Sequence, residues 1–459
     1  MTHAITPLDP GFAPLSLAYR RFCEAVAKEE NSQRFVVRII RGEARSSAFE
    51  TRVFPEGQQD ARNIAIMDRL VKSLLWVRGG YIIQVSGPKA IYEHLKAAYR
   101  PGGSRAFDAK FMSTVYEKPF QVEYVADADS IARSQEAANA IGQHLDGCRI
   151  GFDAGGSDRK VSAVRDGVAV FSEEVVWFPK VTSDPEYHYQ EILSAFKTAA
   201  SHLPRVDAIG VSSAGVYIDN KVMTASLFLA VPEHLHQEKV QNIYTKAAKE
   251  IGDVPLVVAN DGDVTALAGA MGLGKGRILG LAMGTSEAGG YVDEAMHLMG
   301  WLNELAFVPV DMNPEAMEDE WSGDIGCGVK YFSQDGVIKL APAAGIQLDE
   351  KLSPAEKLKV VQRKLENGHP GAIQIFETIG VYLGYALPWY AEFYDIVQVL
   401  ILGRVTSGQG GQLILDKARE TLRNAFPELA DTITLSLPDE ATRRVGQSIA
   451  AASLPEIKK

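Results

Sequence analysis

The chain has 459 residues, 46% hydrophobic and 23% charged, with a formal net charge of -11 and a pI near 5.4. That is the composition of a globular protein long enough for about three domains, and its acidic balance argues against a nucleic-acid-binding protein, which carries a basic footprint. Three cysteines without a CxxC pair argue against a disulfide framework or a cysteine-rich zinc site; with no apolar run of about 18 residues and an N-terminus too polar for a signal peptide, a cytoplasmic protein with no membrane contact is expected.

Residues 1–147 read as a separate α+β unit. RFVVRIIR (34–41) is β-branched and reads as a strand. Over 61–78, Ile64, Met67, Leu70, Val71, Leu74 and Leu75 recur at helical spacing, and Gly79-Gly80 stops the helix. YIIQV (81–85) is a strand, and a second helix after Gly87-Pro88 carries Ile91, Leu95 and Tyr99 on one face. A strand follows the first helix, so this is not a helix-turn-helix. The segment is an accessory module, and its amphipathic helix 61–77 suits either core packing or a partner.

From 148 the pattern changes to a strand meander: CRIGFDAGGS, RKVSAVRDG and VAVFSEEVVWF. Then come helix 186–202, strand VDAIGVSSAG (206–215), helix 236–250, strand PLVVAND (255–261) and an alanine-rich helix. A strand pair spans 277–292, helix 371–392 leads to strand 397–403 and helix 411–424, and a last helix covers about 439–453. Strands followed by alternating helices and strands indicate an α/β core.

Four places carry chemistry. Strand GFD ends in Gly155-Gly156, where small residues let backbone N–H groups approach a phosphate; Asp153 is placed to orient a hydrated Mg²⁺, and Ser157, Arg159 or Lys160 to add contacts. Gly284-Thr285-Ser286 with Gly289-Gly290 is a second such turn. Gly403, Ser407 and Gly408 lie between a strand and a helix, where a nucleotide can sit at the helix start. Asn260-Asp261 ends an apolar strand. A carboxylate there either caps the following helix or takes a proton from a substrate hydroxyl.

In this order and spacing the segments GFDAGGSDRK, VDAIGVSSAGVYIDNKV, VVANDGDVTALAGA, GLAMGTSEAGGYV and IGVYLGYALPWYAEFYDIVQVLILGRVTSG resemble the ROK branch of the sugar kinases, over about 148–453. The resemblance implies a duplicated, ribonuclease-H-like (actin-like ATPase) core of two lobes, 148–258 and 259–459, with the last helix packing back on the first lobe and ATP and sugar in the cleft between them. It implies an ATP- and Mg²⁺-dependent kinase acting on a hydroxyl of a sugar or polyol, as a homodimer. Asp261 falls at the general-base position; Asn260, Glu304, Ser213 and Ser226 fall on the substrate side. The alternative is a non-catalytic sugar- or nucleotide-sensing regulator of the same family.

The sugar side departs from the family pattern. Asn303-Glu304-Leu305-Ala306-Phe307 keeps the glutamate, but Phe307 stands where the family has a histidine, and Val329 where a glutamate is expected. Of the family's zinc cysteines only Cys327 remains, and one thiolate makes no four-coordinate site, so no structural zinc is expected. The loop 224–228 has Ser226 but no asparagine.

Overall fold

The computed structural model describes residues 6, 8–136, 141–438 and 446–457. The chain forms two compact units. The larger takes in Met1–Ala137, Leu281–Gly289 and Trp301–Leu437; the smaller takes in Ala138–Gly280, Gly290–Gly300 and Pro438–Lys459. The N-terminal segment thus shares its unit with much of the chain's second half.

The N-terminal sheet has β1 (Gln33–Gly42), β2 (Arg45–Val53), β3 (Ile82–Ser86) and β4 (Gln121–Tyr124) in the order β2-β1-β3-β4. The sequence reading passes over β2, whose serines and charges hide the apolar alternation, yet it pairs antiparallel with β1 along its length. Helix Leu15–Val26, also not foreseen, sets Tyr19 edge-on to Trp389 at 5.3 Å. Helix Asp60–Arg78 buries eleven side chains, Trp76 among them. Core packing is what its apolar face does.

In the smaller unit the strands are β5 (Cys148–Ala154), β6 (Asp158–Arg165), β7 (Val168–Val176), β8 (Ala208–Ser213), the short hairpin β9 (Val216–Ile218) and β10 (Lys221–Thr224), and β11 (Leu256–Asn260). The main sheet runs β11-β8-β5-β6-β7, with β5-β6-β7 antiparallel and β8 and β11 parallel to β5. This is the ribonuclease-H-like order. A second sheet contains β12 (Ile278–Met283), β13 (Glu287–Val292), β14 (Gln398–Leu402) and β15 (Thr434–Ser436) in the order β13-β12-β14-β15. Among the described residues it repeats the first sheet without the outer meander strand.

Three expectations are corrected. The strand foreseen over 206–215 stops at Ser213, and the chain turns through Gly215 at φ +138° into β9. The helix foreseen over 236–250 is a π-helical turn, His236–Val240, followed by a separate helix, Ile243–Lys249. Gly289-Gly290 lie within β13 and not in the turn before it; a Cβ on Gly290 would stand 2.1 Å from Gly262 O, so a glycine is needed for β13 to back the helix that begins at Asp261.

The last described helix is Gln447–Ala452; the earlier part of the expected helix, 439–445, lies outside the described residues. It lies flat on β5 and β8, because a Cβ on Gly151 or Gly210 would come within 1.7 Å of Ser448 O or Ala451 O. No helix among the described residues is long and apolar enough to cross a membrane.

Candidate active site

The smaller unit gathers two carboxylates at the C-terminal ends of parallel strands. Asp153 ends β5, lies beside Ser212 of β8, and accepts a hydrogen bond from its Oγ at 2.9 Å. Burial pushes its pKa up to about 6; the neighbouring Asp261 and Asp158 add to the rise, while Ser212 and Lys160 oppose it. Asp261 follows β11 and opens the helix Asp261–Leu273. Burial raises its pKa as well, against backbone donors and Lys180. Gln447 ties the ends together: its Nε2 donates to Asp261 O at 2.9 Å, Thr265 Oγ1 at 2.9 Å and Ser212 Oγ at 3.3 Å.

The helix cap is Asn260. Its Oδ1 accepts from Gly262 N at 2.7 Å and its Nδ2 donates to Gly215 O at 2.7 Å, so both ends of this side chain hold the backbone. Asp261 accepts from the same N–H at 3.0 Å as a second, longer acceptor. Asp263, the rival carboxylate, is buried and accepts from Tyr291 N at 3.2 Å. Of the three side chains Asp261 is the one not needed for the local fold.

The first glycine turn is pinned by Trp177, whose Nε1 donates to Gly155 O at 2.7 Å and whose N donates to Ser157 O. Ser157 is exposed and donates to Asp158 Oδ2 at 3.2 Å. Lys160 pairs with Glu174 at 3.6 Å and Arg159 with Glu191 at 2.8 Å. Ser213 is fully buried, its hydroxyl shared with Tyr244 at 2.9 Å and Tyr217 at 2.6 Å. Ser226 opens the short turn Ser226–Phe228.

In the larger unit Gly284, Thr285 and Ser286 link β12 to β13, with Gly284 N bonded to Ser286 O; Thr285 and Ser286 are exposed. Gly403 ends β14 at φ +101°, and a Cβ there would meet Met283 O at 2.4 Å. Only glycine lets the end of β14 lie against the end of β12, which brings the third turn beside the second. Ser407 leans back on Gly403 O at 3.5 Å, and Gly408 precedes the helix Gln409–Ala425. Behind the 284–286 turn, Glu287 is buried; burial pushes it up to about 8 against the Tyr390 hydroxyl on Oε1, and Oε2 has no partner.

Glu304 is half-buried, and its backbone is set by the N-terminal segment: Asn303 N donates to Val77 O at 3.0 Å and Glu304 N to Trp76 O at 3.1 Å. Phe307 stacks on Trp76 at 4.2 Å. Nearby, Asp324 accepts from Lys72 at 2.6 Å, from Arg69 at 2.8 Å and from Arg105. Cys327 is buried beside Lys72 Nζ at 3.8 Å, and burial raises its thiol to about 11. Among the described residues no group of three or more His, Cys, Asp or Glu side chains is arranged to hold a metal ion. Sequence reading missed Trp177, Ser212, Gln447, Glu287 and the Trp76–Phe307 stack; Ser212, beside the chosen Ser213, was the nearest to hand, since alternation along β8 turns the two to opposite faces.

No protein-family model matches the chain, and neither does any curated protein compared with it. Solved structures do. A ROK hexokinase from Thermus thermophilus is 17% identical, with a TM-score of 0.52 over 67% of this chain and 97% of that one. A ROK-family transcriptional regulator, a homologue of the Escherichia coli MLC protein, is 18% identical, with a TM-score of 0.52 over 67% and 79%. A glucokinase from Parabacteroides distasonis is 17% identical, with a TM-score of 0.50 over 68% and 98%. The chain has the actin-like ATPase fold of the ROK-family sugar kinases and regulators, enlarged by an N-terminal region.

Proposed function

We propose that this protein transfers the γ-phosphoryl group of ATP to a hydroxyl of a sugar or sugar-like polyol, with Asp261 as general base. The observation that carries this reading is the division of labour at 260–263: Asn260 caps the helix and Asp263 holds β13, while Asp261 keeps a half-buried carboxylate of raised pKa beside Asp153. A raised pKa makes a carboxylate a stronger base, and a fixed backbone at a strand end aims it.

Asp153 suits a hydrated Mg²⁺, since its own burial and the charge of Asp261 leave it short of a positive neighbour. When bound, Mg²⁺ would neutralise phosphate charge. The turns at 155–157 and 284–286 and the segment 403–408 are assigned to the nucleotide, through backbone N–H groups and the hydroxyls of Ser157, Thr285, Ser286 and Ser407. Glu304 is assigned to substrate hydroxyls. Ser213 and Asn260 shape the substrate side through the backbone, because their side chains are engaged. A regulator shares the fold, so the test must read chemistry: an ATP-consumption screen over sugars and polyols, run on the wild type and on Asp261→Asn. Turnover lost in the variant supports the reading. A wild type that turns over no member of the panel refutes it.

A further inference from the structure

Between β7 and the helix Pro185–Ser201 the chain makes one tight turn, Pro179–Val181. Its backbone is anchored: the buried His188 ring approaches Pro179 O at 3.0 Å, Thr182 Oγ1 donates to Phe178 O at 2.6 Å, and Phe178 N donates to Tyr187 OH at 3.0 Å. The side chain of Lys180 is free by contrast. Among the described residues it forms no hydrogen bond and no ion pair. It nevertheless has a defined place. A Cβ built on Gly156 would stand 2.6 Å from its Cε and 2.8 Å from its Nζ, so the ammonium lies over the glycine turn that follows Asp153. Its charge is also felt at Asp261, where it opposes the upward push of burial.

The other two cations of this turn are committed elsewhere. Arg159 is buried against Glu191, and Lys160 faces Glu174 across β6 and β7. An unpaired ammonium held over a glycine turn, beside two half-buried carboxylates, is electrostatically incomplete until an anion arrives.

We infer that Lys180 is a catalytic residue, the cation that contacts the terminal phosphates of the nucleoside triphosphate at the Gly155-Gly156 turn. This rests on the kinase reading above. In the transfer, the substrate oxygen bonds to the γ-phosphorus as the bond from that phosphorus to the β-phosphate oxygen breaks. The hydroxyl proton passes to the Asp261 carboxylate, and the bonding electrons leave with the nucleoside diphosphate. Lys180 keeps its protons and stabilises the charge that gathers on the transferring and leaving oxygens. Gly156 is small because any side chain would displace the ammonium.

The test uses Lys180→Met and Lys180→Arg in the full chain. Calorimetry compares a non-hydrolysable ATP analogue with AMP, both with Mg²⁺; steady-state phosphorylation is read alongside. Because Lys180 is exposed, melting temperatures should not move. Lys180→Met should weaken the triphosphate analogue about tenfold, leave AMP unchanged, and lower kcat about 10²–10³-fold, the range for removing one stabilising donor. Lys180→Arg should recover most of both. Analogue affinity within twofold of wild type in Lys180→Met overturns the inference. If the wild type phosphorylates nothing but Lys180→Met still loses the analogue selectively, the phosphate contact stands and the kinase reading falls. If the wild type binds no triphosphate at millimolar concentration, both fall.

Discussion

Two pairs of half-buried carboxylates, one pair in each unit, are held in opposite ways. In the larger unit Asp324 receives Lys72, Arg69 and Arg105, while Asp68 receives His94 and Arg105. Against the upward push of burial these partners keep both carboxyls well below the usual range. In the smaller unit Asp153 and Asp261 are likewise half-buried, yet they see mainly hydroxyl and backbone donors, Asp153 also feels the charge of Asp261, and both are raised. A carboxylate saturated with cations has no proton affinity left to use, so it is scaffold. One left short of positive charge is strained toward taking a proton or a cation, and that marks it for chemistry.

The sharpest way to break this contrast is Asp261→Asn. Turnover should fall about 10²–10⁴-fold, the range for losing a positioned base. The melting temperature should barely change, since Asn260 is the cap. A variant with near-normal turnover would remove Asp261 from the mechanism. The opposite result is expected at Asp324→Asn, which leaves Lys72 and Arg105 buried without their shared partner. It should cost about 3–5 kcal/mol of stability, as when one half of a buried pair is removed, measured by denaturant unfolding. A loss under about 1 kcal/mol would mean that the cluster is surface-like.

The pH profile sharpens the same comparison. In the proposed reaction Asp153 and Asp261 act as anions, and their pKa values are raised, so activity should be complete above them and be lost as pH falls. With Asp153 at about 6, kcat/KM should decline below about pH 6, not near the ordinary carboxylate value of about 4. An acid limb near pH 4 would show that burial does not act on these groups as described.

Glu287 gives the smallest effect and the opposite sign. Its folded pKa of about 8 exceeds that of a free glutamate, so its contribution to stability is full below the unfolded value and drains away as pH rises through 8. Glu287→Gln removes that dependence. The variant should melt several degrees above wild type near pH 8, and the gap should close toward pH 5. A gap that does not change with pH would mean that the carboxyl is not the titrating group.

Much of the site was legible in sequence because its parts are local. The meander 148–176, the strand ending at Asn260 and the glycines at 155, 156, 284 and 403 announce themselves by alternation and turn chemistry. What surrounds them does not. Gln447 reaches Asp261 across 186 positions and Arg69 reaches Asp324 across 255. No periodicity records such pairings. The helices Gln334–Leu340 and Pro354–Glu366 went unread, as did β2, whose alternation is masked by polar residues.

By itself, then, the sequence determined the strand meander of 148–176 and the place of Asp261 at a strand end, since both follow from short-range patterns of apolar, glycine and acidic residues. Only the tertiary structure decided which of Asn260, Asp261 and Asp263 is spent on the fold, that Lys180 rather than Lys160 or Arg159 is the cation left unpaired at the first glycine turn, and that the N-terminal segment packs around Glu304 and Asp324. The reason is physical: a side chain's availability is set by its partners and by the water it loses, and long-range packing supplies both.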